Sequence, residues 1–242
     1  MPFSRSFCGF YRSPSIPTPR TKPGDHGPVL LTALMMLGVA WLISHESHLL
    51  TWGLPRPASP QSAFVASPLP LVMEGGDPYL RALLRTISAA ESNTSAPYHV
   101  LYGGDVVNDL SQHPDLCIEI VSGPNQGDCT TAAGRYQFLT TTWADKAARY
   151  HPTPPGWIAF WADYSFEPAA QDWVVYQWLS DRDAWGVDIP DLLRQGRLDE
   201  VLAMLSGTWT SLGYGIEDNS TTPYLAQIYQ DMLQEELQGN PL

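Results

Sequence analysis

Cysteine and positive charge are what this 242-residue chain has least of. Three cysteines are too few for a disulfide scaffold, and none stands in the CxxC spacing of a zinc site, so no metal centre is implied. Nor does any other cluster of side chains imply an organic cofactor. Thirteen Lys and Arg face 25 Asp and Glu, a formal net charge of -12. Four of the basic residues (Arg5, Arg12, Arg20 and Lys22) precede residue 27 with only Asp25 opposing them, and from Glu74 onward there are 8 basic and 23 acidic residues. A folded region so poor in cations cannot line up phosphates, which excludes nucleic acid as a partner.

Long uncharged apolar runs are also missing, with one exception. Val29 to Ser44, "VLLTALMMLGVAWLIS", carries no charge, and with its flanks the segment 27–45 makes a helix of roughly 28 Å, just enough for a bilayer core of about 30 Å. The basic excess lies before it, so the rule of positive residues inside predicts that residues 1–26 stay cytoplasmic and everything after residue 45 is exported. A cleaved signal peptide is the rival reading. Its basic region is normally shorter, and no small-x-small cleavage site closely follows the apolar run, which favours an uncleaved signal anchor. Localisation at the inner membrane, with the bulk of the chain on the periplasmic, cell-wall side, follows.

What remains is organised simply. Residues 1–26, rich in Pro, Ser and Arg, read as a disordered tail. Residues 46–74 contain "PRPASPQSAFVASPLP" and read as a semi-rigid Pro-rich spacer. Residues 75–242 make one domain, and the chain's 44% apolar and 11% aromatic content supplies a core. In it, Asp77 as N-cap and Pro78 at the first helical position open a helix along which Leu80, Leu83, Leu84, Ile87 and Ala90 or Glu91 keep the i, i+3, i+4, i+7 spacing. Tyr98 to about Thr131 breaks into short apolar pieces between Gly, Asn, Asp and Pro, predicting a small irregular sheet or loops. Helical spacing returns after Gly134 with Tyr136, Leu139, Trp143, Ala147 and Tyr150, then from Pro168, from Asp191 to Trp209, and from Pro223 to Leu237. The expected class is α+β, mainly α, with a small β or loop insert between the helices. Cys117 and Cys129, twelve apart, are positioned for a disulfide in an exported domain.

Glu91 is the sharpest candidate for chemistry. A carboxylate in line with an apolar stripe loses hydration, which favours the protonated form that a general acid needs. At the end of its helix, however, it can equally point to solvent.

The stretch "TTAAGRYQFL" resembles the "GAGRYQLL" type of motif of the phage lambda-type peptidoglycan lytic transglycosylases (endolysins), members of the lysozyme-like superfamily. Four further blocks are similar to that family in the same order: "LLRTISAAES", "YHVLYGGDVVNDLSQHP", "FEPAAQDWVVYQWL" and "GTWTSLGYG". The resemblance implies a lysozyme-like domain that binds peptidoglycan glycan strands and breaks the β-1,4 bond between N-acetylmuramic acid and N-acetylglucosamine. It places the catalytic glutamate on Glu91 and sugar-binding positions on Tyr102, Gly103, Gly104, His113, Gly134, Tyr136, Gln137 and Tyr214. One departure stands out: the family's glutamate is followed by Gly-Thr, whereas here the residues are Ser92-Asn93-Thr94, and Asn93 is the residue best able to supply a glycine-like left-handed turn. The resemblance implies a single carboxyl acting as acid and then base. A hydrolytic muramidase would need a second carboxylate, for which Asp105, Asp109, Asp115 and Glu119 are the candidates, and a catalytically inactive glycan-binding protein is the alternative of another class.

Overall fold

The computed structural model of the chain describes residues 67–121, 123, 125–156, 163–215 and 220–239. The anchor expected at 27–45, the tail before it and most of the spacer lie outside these residues. Among the described residues no helix is long and apolar enough to cross a membrane.

The domain is built round α1 (Pro78–Glu91). The Asp77 carboxylate accepts from the N–H groups of Tyr79 and Leu80, as its N-cap position requires. Leu80, Leu83, Leu84 and Ile87 are fully buried, but so, almost, are Arg81, Arg85, Thr86 and Ser88 on the other faces. α1 is therefore central rather than amphipathic on a surface. Its two arginines are neutralised from the last helix, α7 (Leu225–Gly239): Glu236 accepts from Arg81 Nε at 2.5 Å and from Arg85 Nη1 at 3.1 Å. Removing either side of such a pair would strand a buried charge.

Between α1 and the next helix lies the expected insert, a hairpin of β1 (Ile118–Glu119) and β2 (Cys129–Thr130) paired antiparallel with Glu119 opposite Cys129. The structure joins Cys117 to Cys129 with Cα atoms 5.4 Å apart, closing the base of this hairpin. α2 (Thr140–Tyr150) follows, then α3 (Pro168–Ser180), the single turn α4 (Arg182–Trp185), α5 (Ile189–Arg194) and α6 (Leu198–Leu205).

Three expectations change here. Helical spacing from Tyr136 is misleading, because Gly134 (φ +74°) and Gln137 (φ +47°) both take left-handed conformations and turn the chain tightly, with Ala133 bridged to Phe138, before α2 begins at Thr140. The helix expected from Asp191 to Trp209 is two, broken at Gly196 (φ +75°). The end of the segment read as spacer, 68–73, packs into the domain, with Leu71 and Met73 buried in its core.

That strap is held by charge. Arg135 Nη1 donates to Pro70 O at 2.9 Å and Nη2 donates to Leu69 O, while Arg85 Nη2 donates to Pro68 O at 2.8 Å. In return Asp172 Oδ2 accepts from Val72 N at 2.8 Å and Met73 N at 3.2 Å. Burying an ion is costly unless it is hydrogen-bonded, and backbone groups of an extended segment supply such bonds without adding further charge.

Candidate active site

α1 delivers Glu91 to the edge of a cavity of about 340 Å³. The helix stops there because Ser92 leaves helical geometry (φ -152°, ψ 48°) while its N–H still closes the last turn on Ser88 O at 2.8 Å. Its hydroxyl, buried, donates to Arg135 O at 2.6 Å. Thus neither glycine nor a left-handed residue ends this helix: Asn93 does not have positive φ, and the serine after Glu91 staples the helix end to the Gly-Arg-Tyr-Gln turn instead. Glu91 itself is half-buried, and its Oε1 accepts a hydrogen bond from the Ser211 hydroxyl.

Tyr136 and Gln137 of the Gly-Arg-Tyr-Gln turn line the cavity. A Cβ on Gly134 would lie 2.3 Å from Gln171 Oε1 and 2.8 Å from the Phe166 ring, so the position admits no side chain. Gln171, fully buried on α3, accepts from Arg135 N at 2.9 Å and donates to Tyr98 O and Phe166 O. Arg135 is fully buried and donates to the Tyr98 hydroxyl at 2.7 Å rather than pairing with a surface acid. Tyr98 and Tyr136 in turn donate to Asp172, at 2.7 Å each. Burial, and then the neighbouring Asp172 carboxylate, push both phenols well above their ordinary range, so both stay protonated donors.

Tyr102, Gln137, Trp178 and Trp209 complete the aromatic and amide lining, with Thr142, Thr208 and Thr210 supplying hydroxyls. Trp209 Nε1 donates to Tyr136 O at 3.0 Å and its ring lies 5.4 Å from that of Trp178. Tyr102 is fixed through its N–H to Ala132 O at 3.0 Å. The Gln137 amide is oriented by donation to Gly134 O at 3.0 Å. Flat aromatic faces beside a few oriented polar groups suit a ligand with apolar faces and equatorial hydroxyls, such as a sugar.

The structure thus brings Glu91, Tyr102, Tyr136 and Gln137 to one cavity, with Gly134 behind them in the turn that carries Tyr136 and Gln137. It separates the others. Gly103 (φ +86°) and Gly104 (φ +100°) form an exposed turn beside Tyr102 and do not line the cavity. His113 is buried elsewhere, with Nε2 donating to Phe138 O at 2.8 Å and Nδ1 accepting from Asp115 N at 3.1 Å, so both ring nitrogens serve the fold. Tyr214 faces a second cavity of about 440 Å³, where its hydroxyl donates to Asp199 at 2.6 Å. Asp105, Asp109, Asp115 and Glu119 do not line the Glu91 cavity, and Glu91 is the only carboxylate among the described residues that do. Ser211, Trp178, Trp209 and Asp172 escaped residue-by-residue reading. All four sit inside two of the matched sequence blocks; Ser211, Trp178 and Trp209 carried no chemistry of their own to mark them, and Asp172 reads as one more surface acid. Among the described residues no group of three or more His, Cys, Asp and Glu is placed to hold a metal ion.

A family model described as Endolysin matches residues 81–234. Among solved structures, the lysozyme from bacteriophage lambda is 22% identical, with 68% of this chain and 97% of that chain covered and a TM-score of 0.47. The bacteriophage lambda lysozyme complexed with a chitohexasaccharide gives 22% identity, 66% and 97% coverage and the same TM-score of 0.47. No curated protein matches the chain.

Proposed function

The chain belongs to the Endolysin family, and from that premise we propose that it is a membrane-anchored glycosidase that cuts peptidoglycan between N-acetylmuramic acid and N-acetylglucosamine as a lytic transglycosylase. The observation that carries this reading is the single carboxylate, Glu91, among the described residues of an aromatic-walled cavity. Protonated Glu91 donates to the glycosidic oxygen as the bond to C1 of the muramoyl sugar breaks. The carboxylate so formed takes the proton of the C6 hydroxyl, and O6 closes on C1 to give the 1,6-anhydro ring. Ser211 holds Oε1 and so fixes the rotamer that faces the bond. Hydrolysis would instead call for a second carboxylate at roughly 5 to 9.5 Å to activate water or stabilise the sugar cation. Residues 27–45 would hold this domain close to the membrane, directed at the cell's own wall.

The test is mass spectrometry of fragments released from purified peptidoglycan by the full chain in detergent, beside Glu91→Gln. Anhydro-muramoyl ends, reduced about 1000-fold in rate by the substitution, are expected for loss of a general acid. Reducing muramoyl ends would establish a muramidase, and tight binding with no fragments would establish a glycan-binding protein.

A further inference from the structure

The aromatic floor of the catalytic cavity does not end at that cavity. Trp178 and Thr208 also line an adjoining cavity of about 310 Å³ that contains Lys146, Arg149, Tyr150 and Trp185. Trp185 donates from Nε1 to Trp178 O at 2.9 Å and its ring lies 5.3 Å from the Trp178 ring, so the two indoles form one continuous wall. Lys146 Nζ stands 4.6 Å above the Trp178 ring.

Cations at this place are unusual for the molecule. Of the 8 basic residues from Glu74 onward, Arg81, Arg85 and Arg135 are buried in the scaffold. Arg194 pairs with Asp77, Arg197, just before α6, pairs with Glu200, and Arg182 is exposed on α4. Lys146 and Arg149 line the cavity that shares Trp178 and Thr208 with that of Glu91. Each is held by one carboxylate: Lys146 by Asp145, which is 71% exposed, and Arg149 through Nη2 by Asp181 at 2.7 Å. Asp145 itself lines this cavity, and its pair with Lys146 is open enough to contribute little and to exchange for an incoming carboxylate, while Arg149, 59% exposed, keeps Asp181 and has further donors for a second one.

Resting on the reading of the protein as a peptidoglycan-cleaving enzyme, we propose that this adjoining cavity is a subsite for the free carboxylates of the peptide stem carried by the muramoyl sugar. Lys146 and Arg149 receive those carboxylates while Trp178 and Trp185 cover the apolar part of the stem. The long-range field works the other way: a chain of net charge -12 repels an anionic polymer. A preference for carboxylated stems must then come from a local site.

The experiment compares sacculi with free stem carboxylates and the same sacculi amidated at those carboxylates, using the full chain in detergent. The expected kcat/KM is about tenfold higher on the free-carboxylate polymer, the size of a charge-assisted contact. Lys146→Met with Arg149→Gln should bring that ratio to one or below, and Lys146→Arg should restore most of it. A merely structural defect would lower both rates and leave the ratio unchanged. A wild-type ratio at or below one, or a ratio that survives the double substitution, overturns the subsite. Binding of the two polymers by the Glu91→Gln chain reports the same ratio without cleavage. Failure of the enzymatic reading, with neither polymer cut, is therefore distinct from failure of the subsite.

Discussion

Replacing Ser211 by alanine removes the hydroxyl that donates to Glu91 Oε1 and leaves the residues that line the cavity in place. The hydroxyl orients the acid at the reacting bond, so its loss is expected to raise the barrier by on the order of 1.4 kcal/mol, about tenfold in kcat, while the melting temperature falls by no more than a few degrees. Steady-state cleavage rates and a thermal melt check this; equal loss of rate and stability would make Ser211 a scaffold residue. His113 offers a prediction in pH. Burial lowers its imidazole from the ordinary 6.5, and the bond to Phe138 O and the nearby Asp115 only partly oppose this. With a folded pKa below the unfolded one, the unfolded chain binds the extra proton, so this contribution is present above pH 6.5 and is lost as pH falls through the folded value. His113→Gln should flatten the change of melting temperature between pH 7 and pH 5. At this scale Glu91 was legible because it breaks an apolar stripe. His113, placed by the resemblance among the sugar-binding positions, does not line that cavity, because a motif records that a residue recurs beside a site, not which carbonyl its ring faces.

Among the elements, the strap 68–73 is the one that sequence reading placed outside the domain. Its prolines argued for a spacer, and its local composition is the same whether its carbonyls meet water or Arg135. A chain that begins at Gly75 loses those carbonyls and the N–H donors to Asp172, leaving buried charges unpaired at a cost of about 3 to 5 kcal/mol. It is expected to melt far below the full chain or to fail to fold, whereas one beginning at residue 66 should melt with the full chain; circular dichroism on the three decides. The hairpin staple gives a second test. Cys117→Ser opens a crosslink over a sequence separation of 12 and should cost about 3 kcal/mol in the chain-entropy model, read as a shift in urea midpoint. Helices α1, α3 and α7 were legible because long periodic segments average out local exceptions. The Gly134–Phe138 turn was read as helix because Tyr136, Leu139 and Trp143 keep the period while two left-handed residues break it.

At the scale of the whole molecule, the proposed anchor predicts where the protein is found. After cell fractionation the full chain should stay with membranes through a high-salt wash and leave only with detergent, since burial of an apolar helix does not depend on ionic strength. Release by salt alone, or a soluble pool of the shortened domain, would overturn the anchor. The acidic exterior and the family were legible from composition and from five collinear blocks, because each survives any arrangement of the loops. By itself the sequence determined that a helical domain ends its first helix in a glutamate and follows it with a small hairpin, because periodicity and turn residues act locally. Only the tertiary structure decided that Ser211 meets Glu91, that Asp172 gathers Tyr98, Tyr136 and the strap, and that His113 and Tyr214 face away from that cavity. Those contacts join residues far apart in the chain, and which of many acids and hydroxyls meet is set by packing round α1, to which local sequence signals are blind.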